Sequence, residues 1–413
     1  MDARAHERLD TLQSDPYPLY ATARRAPGLT FVPELDAWLV ARDADVREVL
    51  LRPEEFSSAH ALRPDVMPSP AVLAVLAGGF GRRPTVVSTD GAAHRRHRAP
   101  LNTGLSAARI TSLVPHATEV ATSLADSFAS DGRAEVMGAY AGRLPGAVIG
   151  RLIGITPEDV PAAVRGGHRA ERLLFRPMPE DEQLAAAEDV VALHHLLDRY
   201  ARDRHARPRG DLCSALVAAL APAAEPGPAR GGLTVDQRAE LVAQLQNLLI
   251  AGHLTTTALI GTTLLHLLRH RDQWELLRDR PELIPGAVEE AARFDTAVQG
   301  FRRTTTRPVV LAGTELPAGA TVFVAYGSAN RDASRHEAPD VFDITRPATP
   351  TRHLAFGHGA HGCPGAQLAR MQLRLTLELF TRRFPRLRLS EERPVEMRPT
   401  LIHRSPQQLH LTW

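Results

Sequence analysis

Residues 356–365 read Phe356-Gly357-His358-Gly359-Ala360-His361-Gly362-Cys363-Pro364-Gly365, the stretch of this chain richest in groups that could do chemistry. Its clustered glycines admit backbone geometry that other residues resist. Pro364 suits the opening of a helix, so the spacing predicts that Cys363 sits just ahead of a helix start. A cysteine there meets unpaired amide hydrogens and the positive end of the helix dipole. Both favour the thiolate, the form that ligates metals. A lone Cys-Pro-Gly is more often a turn around a buried, inert cysteine. The longer pattern F-x-x-G-x-x-x-C-x-G carries more information than that.

Two other groups stand out. Glu290 and Arg293 are three residues apart, which on a helix puts carboxylate and guanidinium on one face; alone, such a pair is an ordinary salt bridge. Residues 251–256 (Ala251-Gly252-His253-Leu254-Thr255-Thr256) interrupt a long apolar pattern with small and hydroxyl side chains, as a core helix also can.

The elements that must position these groups are mostly helices. Apolar residues recur at three- and four-residue spacing over 107–128, 182–206 and 234–269, and the pattern continues over 272–278, 281–294 and 364–380. Residues 29–33 and 37–41 predict a hairpin, and 43–51 a short helix. Residues 309–312 and 321–325 predict strands joined by a turn at 317–319. Residues 64–83, rich in Pro and Gly, predict a long loop with one helical turn, and such loops are often functional. Residues 222–232 are the only linker-like stretch, and they are read as joining two helices. The expected class is mainly α with a minor β-sheet region (α+β), in one domain spanning 1–413.

The cysteine pattern resembles the haem-ligating loop of the cytochromes P-450, and the resemblance covers almost the whole chain. It implies the fold of that family, with haem b (iron protoporphyrin IX) between a long central helix and the cysteine-loop helix. Cys363 would be the iron ligand, with Phe356, Gly359 and Gly365 as further cofactor-binding loop positions. His94 and Arg98, one helical turn apart, Arg303 and His353 match partners of the haem propionates, with Arg302 competing for the place of Arg303. Cationic and hydrogen-bonding side chains suit two carboxylates. Glu290 and Arg293, with Arg346 as third member, match a structural triad. Ala251 and Gly252 match the small pair that leaves room for dioxygen, and Thr255 the threonine whose hydroxyl serves it.

The pattern departs from the family at Leu254, where an acid usually precedes the threonine. Leucine cannot relay protons. Three readings follow: water ordered by Thr255 and Thr256 replaces the acid, the substrate supplies the proton donor, or the reaction is a coupling or desaturation. By position, Asn247, Ala297, Val298, Leu401 and Ile402 would line the substrate pocket, with the 66–80 loop and residues 173–177. Few polar anchors among them suit a natural-product scaffold in secondary metabolism. Electrons from NAD(P)H would arrive through ferredoxin and ferredoxin reductase, because no GxGxxG fingerprint in a strand–helix context is present. Arg95, Arg96, Arg370 and Arg374 are candidates for the docking patch. A peroxide-dependent haem-thiolate peroxygenase and a non-catalytic haem or gas-binding protein are the alternatives.

Composition narrows the classes further. The 413 residues carry 49 basic groups, every one arginine, against 47 acidic groups, so no basic excess marks a nucleic-acid binder. Cys213 and Cys363 are the only cysteines, too few for a disulfide framework. Residues 1–15 are charged throughout and show no signal or transit pattern, and the most apolar stretch, 241–268, is interrupted by polar residues. The expectation is a cytoplasmic monomer, bound to no membrane.

Overall fold

The computed structural model describes residues 3–222, 232–347 and 352–413. The linker-like 222–232 stretch lies outside them but for its first and last residues. Two compact units share the chain: one comprises Met1–His60, His116–Leu144 and Thr255–Trp413, the other Ala61–Pro115 and Pro145–Leu254.

The first unit is built on a five-stranded sheet in the order Thr30–Val32, Ala37–Val40, Thr321–Ala325, Gly300–Thr305, Phe56–Ser57. Neighbours run antiparallel except Ala37–Val40 and Thr321–Ala325, which are parallel. The apolar run Thr321–Ala325 is central because both of its faces are covered. Val322 and Val324 pack with Val40, Val46 and Leu354 on one side. Phe323 and Ala325 pack with Leu39, Tyr20 and Leu401 on the other. At about 1.5–3 kcal/mol per fully buried large apolar side chain, these two clusters hold the sheet that carries Arg303.

One strand assignment differs from expectation. Val309–Leu311 pairs not with 321–325 but with Thr314–Leu316, in a hairpin of its own. Ala312 and Gly313 both have positive φ, 52° and 75°, the two-residue turn geometry that matches strand twist. The partner of Thr321–Ala325 is instead Gly300–Thr305, so Arg303 lies within a strand rather than ahead of one.

In the second unit, helices Val160–Phe175 and Glu180–Ala206 pack with the short helix Pro70–Leu76 around Val72, Leu173, Ala186, Ala187 and Val190. Ser69 caps that short helix through its hydroxyl, which accepts from the Val72 amide. The segment expected as loop thus holds two helical turns. The longest helix, Val235–Arg269, is long and apolar enough to span a membrane, but its most apolar stretch is mostly buried inside the protein. It is a core helix.

Candidate active site

The cysteine loop is a tight hydrogen-bonded turn. The Cys363 amide donates to the Phe356 carbonyl at 2.7 Å, Gly357 N–H to Leu354 at 2.9 Å and Gly362 N–H to Gly359 at 3.1 Å. Gly359 is required here. Its φ is +67°, and a Cβ would stand 2.5 Å from the Leu50 carbonyl oxygen. Gly365 is not held by such strain; a Cβ there would make an ordinary contact, 3.8 Å from Cys363 Sγ. The regular helix begins at Ala366, with Gly365 as its cap. Cys363 is therefore two residues further from the helix than expected, because Pro364 and Gly365 form a turn. Cys363 is exposed, and Cys213 is buried in the helix Leu212–Leu220, where burial pushes its thiol up to about 12.

Behind the loop, two adjacent glutamates serve different partners. Glu290 accepts two bonds from Arg293, at 2.7 and 2.8 Å, and one from Arg346 at 3.3 Å. Arg293 also donates to the carbonyls of Asn330 and Pro339, so it ties its helix to the irregular segment. Glu289 points elsewhere, as neighbouring helix positions do. It accepts from Arg370 Nε at 2.6 Å and from a terminal nitrogen of Arg370 at 2.8 Å. It also meets His353 Nε2 at 3.0 Å. Burial alone would raise this carboxyl, but the bonds from His353 and Arg370 and the guanidinium charge outweigh it and hold it at about 2. The Arg370 guanidinium stacks 4.4 Å from the Phe356 ring centroid, at the start of the cysteine loop.

This arrangement corrects the reading of one arginine. Arg370 is buried against Glu289 and cannot belong to a docking surface. Arg96 is exposed while it pairs with Glu240 and donates to the Leu220 carbonyl. Arg95 and Arg374 are exposed. No spacing rule marks Glu289 or Arg370 as a pair: they lie 81 residues apart.

The residues matched to propionate partners are differently placed. Arg303 is buried, on the sheet face that holds Val322 and Tyr326, and it donates to the Arg302 carbonyl at 2.9 Å. Arg302, the next residue, takes the opposite face. His353 is buried, with Nε2 toward Glu289 and Nδ1 accepting from the Ala355 amide at 3.2 Å. In the second unit, His94 is buried, and burial, then the Arg98 charge, lowers its pKa. Arg98 Nε donates to Asn102 Oδ1 at 2.8 Å.

On the long helix, Asn247, Ala251 and Thr255 follow one another at four-residue spacing and stay at least partly accessible, although most flanking positions are buried. Leu254 is buried beside them. Gly252 has a packing reason: a Cβ there would stand 2.6 Å from Ile149 Cδ1, so that side is filled by Ile149. Asn247 Oδ1 faces the Thr85 hydroxyl at 3.4 Å. Of the other pocket positions, Val298 bridges to Ile402, and Gln299 N–H donates to the Leu401 carbonyl at 2.8 Å. The Ala297 carbonyl accepts from Arg404 N–H at 2.7 Å, so 297–299 and 401–404 form one mostly buried ledge, with Val298 and His403 partly accessible.

The donor set suits a haem: an accessible cysteine on a constrained loop, with a buried arginine and a buried histidine in the same unit. Comparison with known proteins agrees. The Cytochrome P-450 family model matches residues 174–412. Cytochrome P-450 107B1 of Saccharopolyspora erythraea is 34% identical over 388 residues, covering 92% of this chain and 90% of its own. Nocardicin C N-oxygenase of Nocardia uniformis subsp. tsuyamanensis is 34% identical over 419 residues, covering 100% and 99%. The solved structure of cytochrome P-450 CREJ in complex with (4-ethylphenyl) dihydrogen phosphate matches with a TM-score of 0.88 at 28% identity, over 97% of this chain and 98% of that one. The chain belongs to the cytochrome P-450 family and has its fold. It is a haem-thiolate monooxygenase, of a family that draws its electrons from redox partners.

Proposed function

We propose that this enzyme hydroxylates or oxidatively couples a natural-product substrate, using O2 and electrons from NAD(P)H passed through ferredoxin reductase and ferredoxin. The observation that carries the reading is the constrained loop that presents an accessible Cys363. Haem b ligated by a thiolate supplies O–O cleavage and C–H oxidation when bound. Cys363 would be the ligand, Phe356, Gly359 and Gly365 would shape its loop, and Arg303, His353, His94 and Arg98 would answer the propionates. Glu290, Arg293 and Arg346 would brace the loop from behind.

The remaining work falls to the accessible face of the long helix. The Thr255 hydroxyl would hold a proton donor toward the reacting oxygen, with Ala251 keeping the space beside it clear. Leu254 brings no titratable group to that step. Asn247 and the ledge of Ala297, Val298, Leu401 and Ile402 would orient substrate and exclude water. Nocardicin C N-oxygenase bears the name of an enzyme of a natural product, which supports a substrate of that class here. We place the enzyme in the cytoplasm as a single-domain monomer.

The deciding experiment has two stages. The reduced carbon monoxide complex of the haem-loaded protein is expected to show the red-shifted thiolate band, and Cys363→Ser to lack it. A loaded wild-type protein without that band would end the Cys363 assignment. Product formation from a panel of natural-product scaffolds is then compared with ferredoxin and reductase against hydrogen peroxide alone. Turnover with peroxide only would replace the proposal with a peroxygenase.

A further inference from the structure

His194, in the helix Glu180–Ala206, is buried and takes no part in the site described above. The backbone N–H of Phe80 donates to its Nδ1 at 3.2 Å. An amide N–H only donates, so Nδ1 bears no hydrogen and the neutral ring carries its hydrogen on Nε2. That nitrogen stands 2.7 Å from Gln246 Oε1, on the long helix, and donates to it. The opposite orientation of the Gln246 amide would leave both ring nitrogens accepting, which a neutral imidazole cannot do. One histidine thus ties the turn at 77–80 to two helices of the same unit. The main chain reaches the ring because residue 79 is glycine, where a Cβ would collide with Nδ1. The Phe80 ring lies 6.2 Å from that of His195 and 5.1 Å from the Arg238 guanidinium. Just ahead of the turn, the helix Pro70–Leu76 buries only Val72 fully, so this segment opens easily once the turn lets go.

We propose that His194 is a titratable latch: neutral, it holds residues 70–80 against the helix Glu180–Ala206, and protonated, it releases them and speeds ligand exchange with the pocket. The last step rests on the pocket place read for residues 66–80 and on the function proposed above. A second proton on the ring must go to Nδ1, against the N–H of Phe80, so two donors face each other and the bond is lost. The charged neighbours are engaged elsewhere: Arg238 with Asp198, Arg83 with Asp236, and Arg165 and Arg169 with Asp189. Arg82 donates to the Leu62 carbonyl. Burial lowers the pKa of His194; the Gln246 bond raises it and the His195 charge lowers it again, with a net fall below the ordinary 6.5. The latch is therefore shut at neutral pH and opens as pH falls.

The test is amide hydrogen exchange of the full-length protein, read as the protection factor at Phe80 against pH. In the parent, protection is expected to fall about tenfold, the scale of one hydrogen bond, at a pH below the ordinary histidine value of 6.5. Gln246→Glu sets a carboxylate against Nε2–H, which favours the doubly protonated ring, and should move that loss upward by about one pH unit or more. His194→Asn, whose Oδ1 can take the place of Nδ1 without titrating, should keep protection level throughout. A loss at the same pH in all three proteins, or in none, overturns the latch. Where Gln246→Glu does not accumulate folded, the contrast between the parent and His194→Asn decides the matter alone. The effect on exchange is read with 4-phenylimidazole as the probe, binding to the haem-loaded protein at neutral pH. Gln246→Glu should bind it severalfold faster than the parent, and Gln246→Glu with His194→Asn no faster; equal rates in all three overturn the link to the pocket. A parent that binds no haem would refute the function proposed above, while exchange at Phe80 would still decide whether His194 is a latch.

Discussion

At Leu254 the chain lacks the carboxylate its relatives are expected to carry before the threonine, and the side chain there is buried. A glutamate in that environment would have its pKa raised by desolvation and would hold a proton near neutral pH, which is what a relay needs. Leu254→Glu is therefore expected to lower the hydrogen peroxide released per NAD(P)H oxidised severalfold, read with substrate and redox partners present. Unchanged peroxide release and product profile would show that the missing acid has no mechanistic meaning. Gly359 and Gly365 offer a second contrast within one loop. Gly359→Ala forces a positive φ on a residue that resists it and meets the Leu50 carbonyl at 2.5 Å, so about 1–3 kcal/mol of stability should be lost. Gly365→Ala has room and an ordinary φ, and should stay within about 0.5 kcal/mol. Thermal unfolding of the two variants tests the difference, and equal losses would contradict it.

Among elements, the long helix and the helix Leu144–Ile153 approach closely because Gly252 lacks a side chain where Ile149 sits. Gly252→Ala should overpack that contact and destabilise by about 1–3 kcal/mol. Ile149→Val in the same chain should recover part of the loss, since it removes a methyl group at the point of collision. Denaturant unfolding of the single and double variants measures it; a double variant no better than Gly252→Ala would mean that the strain lies elsewhere. The small residue at 252 is thus explained first by helix packing, and any part it has in admitting oxygen is additional.

Across the molecule, two buried carboxylates make stability depend on acid. Asp295 accepts from Tyr17, Arg404 and His266, at 2.6, 2.7 and 3.0 Å, which joins the helix Tyr17–Arg25, the long helix and the C-terminal segment. Burial would raise its pKa, but the Arg404 charge and the His266 bond outweigh it and hold the group far below the usual carboxylate range. Glu289 is held at about 2 against an ordinary 4.5. Both folded-state values are depressed, so both contributions are complete above the unfolded pKa and disappear as pH falls through the folded one. The urea midpoint should decline as pH drops from about 4.5 toward 2, and Glu289→Gln should decline less steeply while starting lower. A parent midpoint that stays level over that window would disprove this account.

How much of this was legible in the sequence depends on the range of the interaction. The cysteine loop was readable because its requirements are local: glycines at set positions and a cysteine before a helix are written in ten consecutive residues. Glu290 with Arg293 was readable for the same reason, by helix spacing. Helices of the long apolar pattern appeared within a few residues of their bounds, because periodicity is also local. What sequence left undecided was every pairing across tens of residues. The strand 309–311 turned to 314–316 because of a two-residue turn, and 321–325 found 300–305 through burial on both faces. Arg370 looked like one surface arginine among 49 basic residues until Glu289, on another helix, gave it a buried partner. Residue types determined which chemistry this protein has. Only the tertiary structure decided which of its charges are spent on holding the cysteine loop in place, because desolvation and pairing are properties of packed neighbours and not of any one segment.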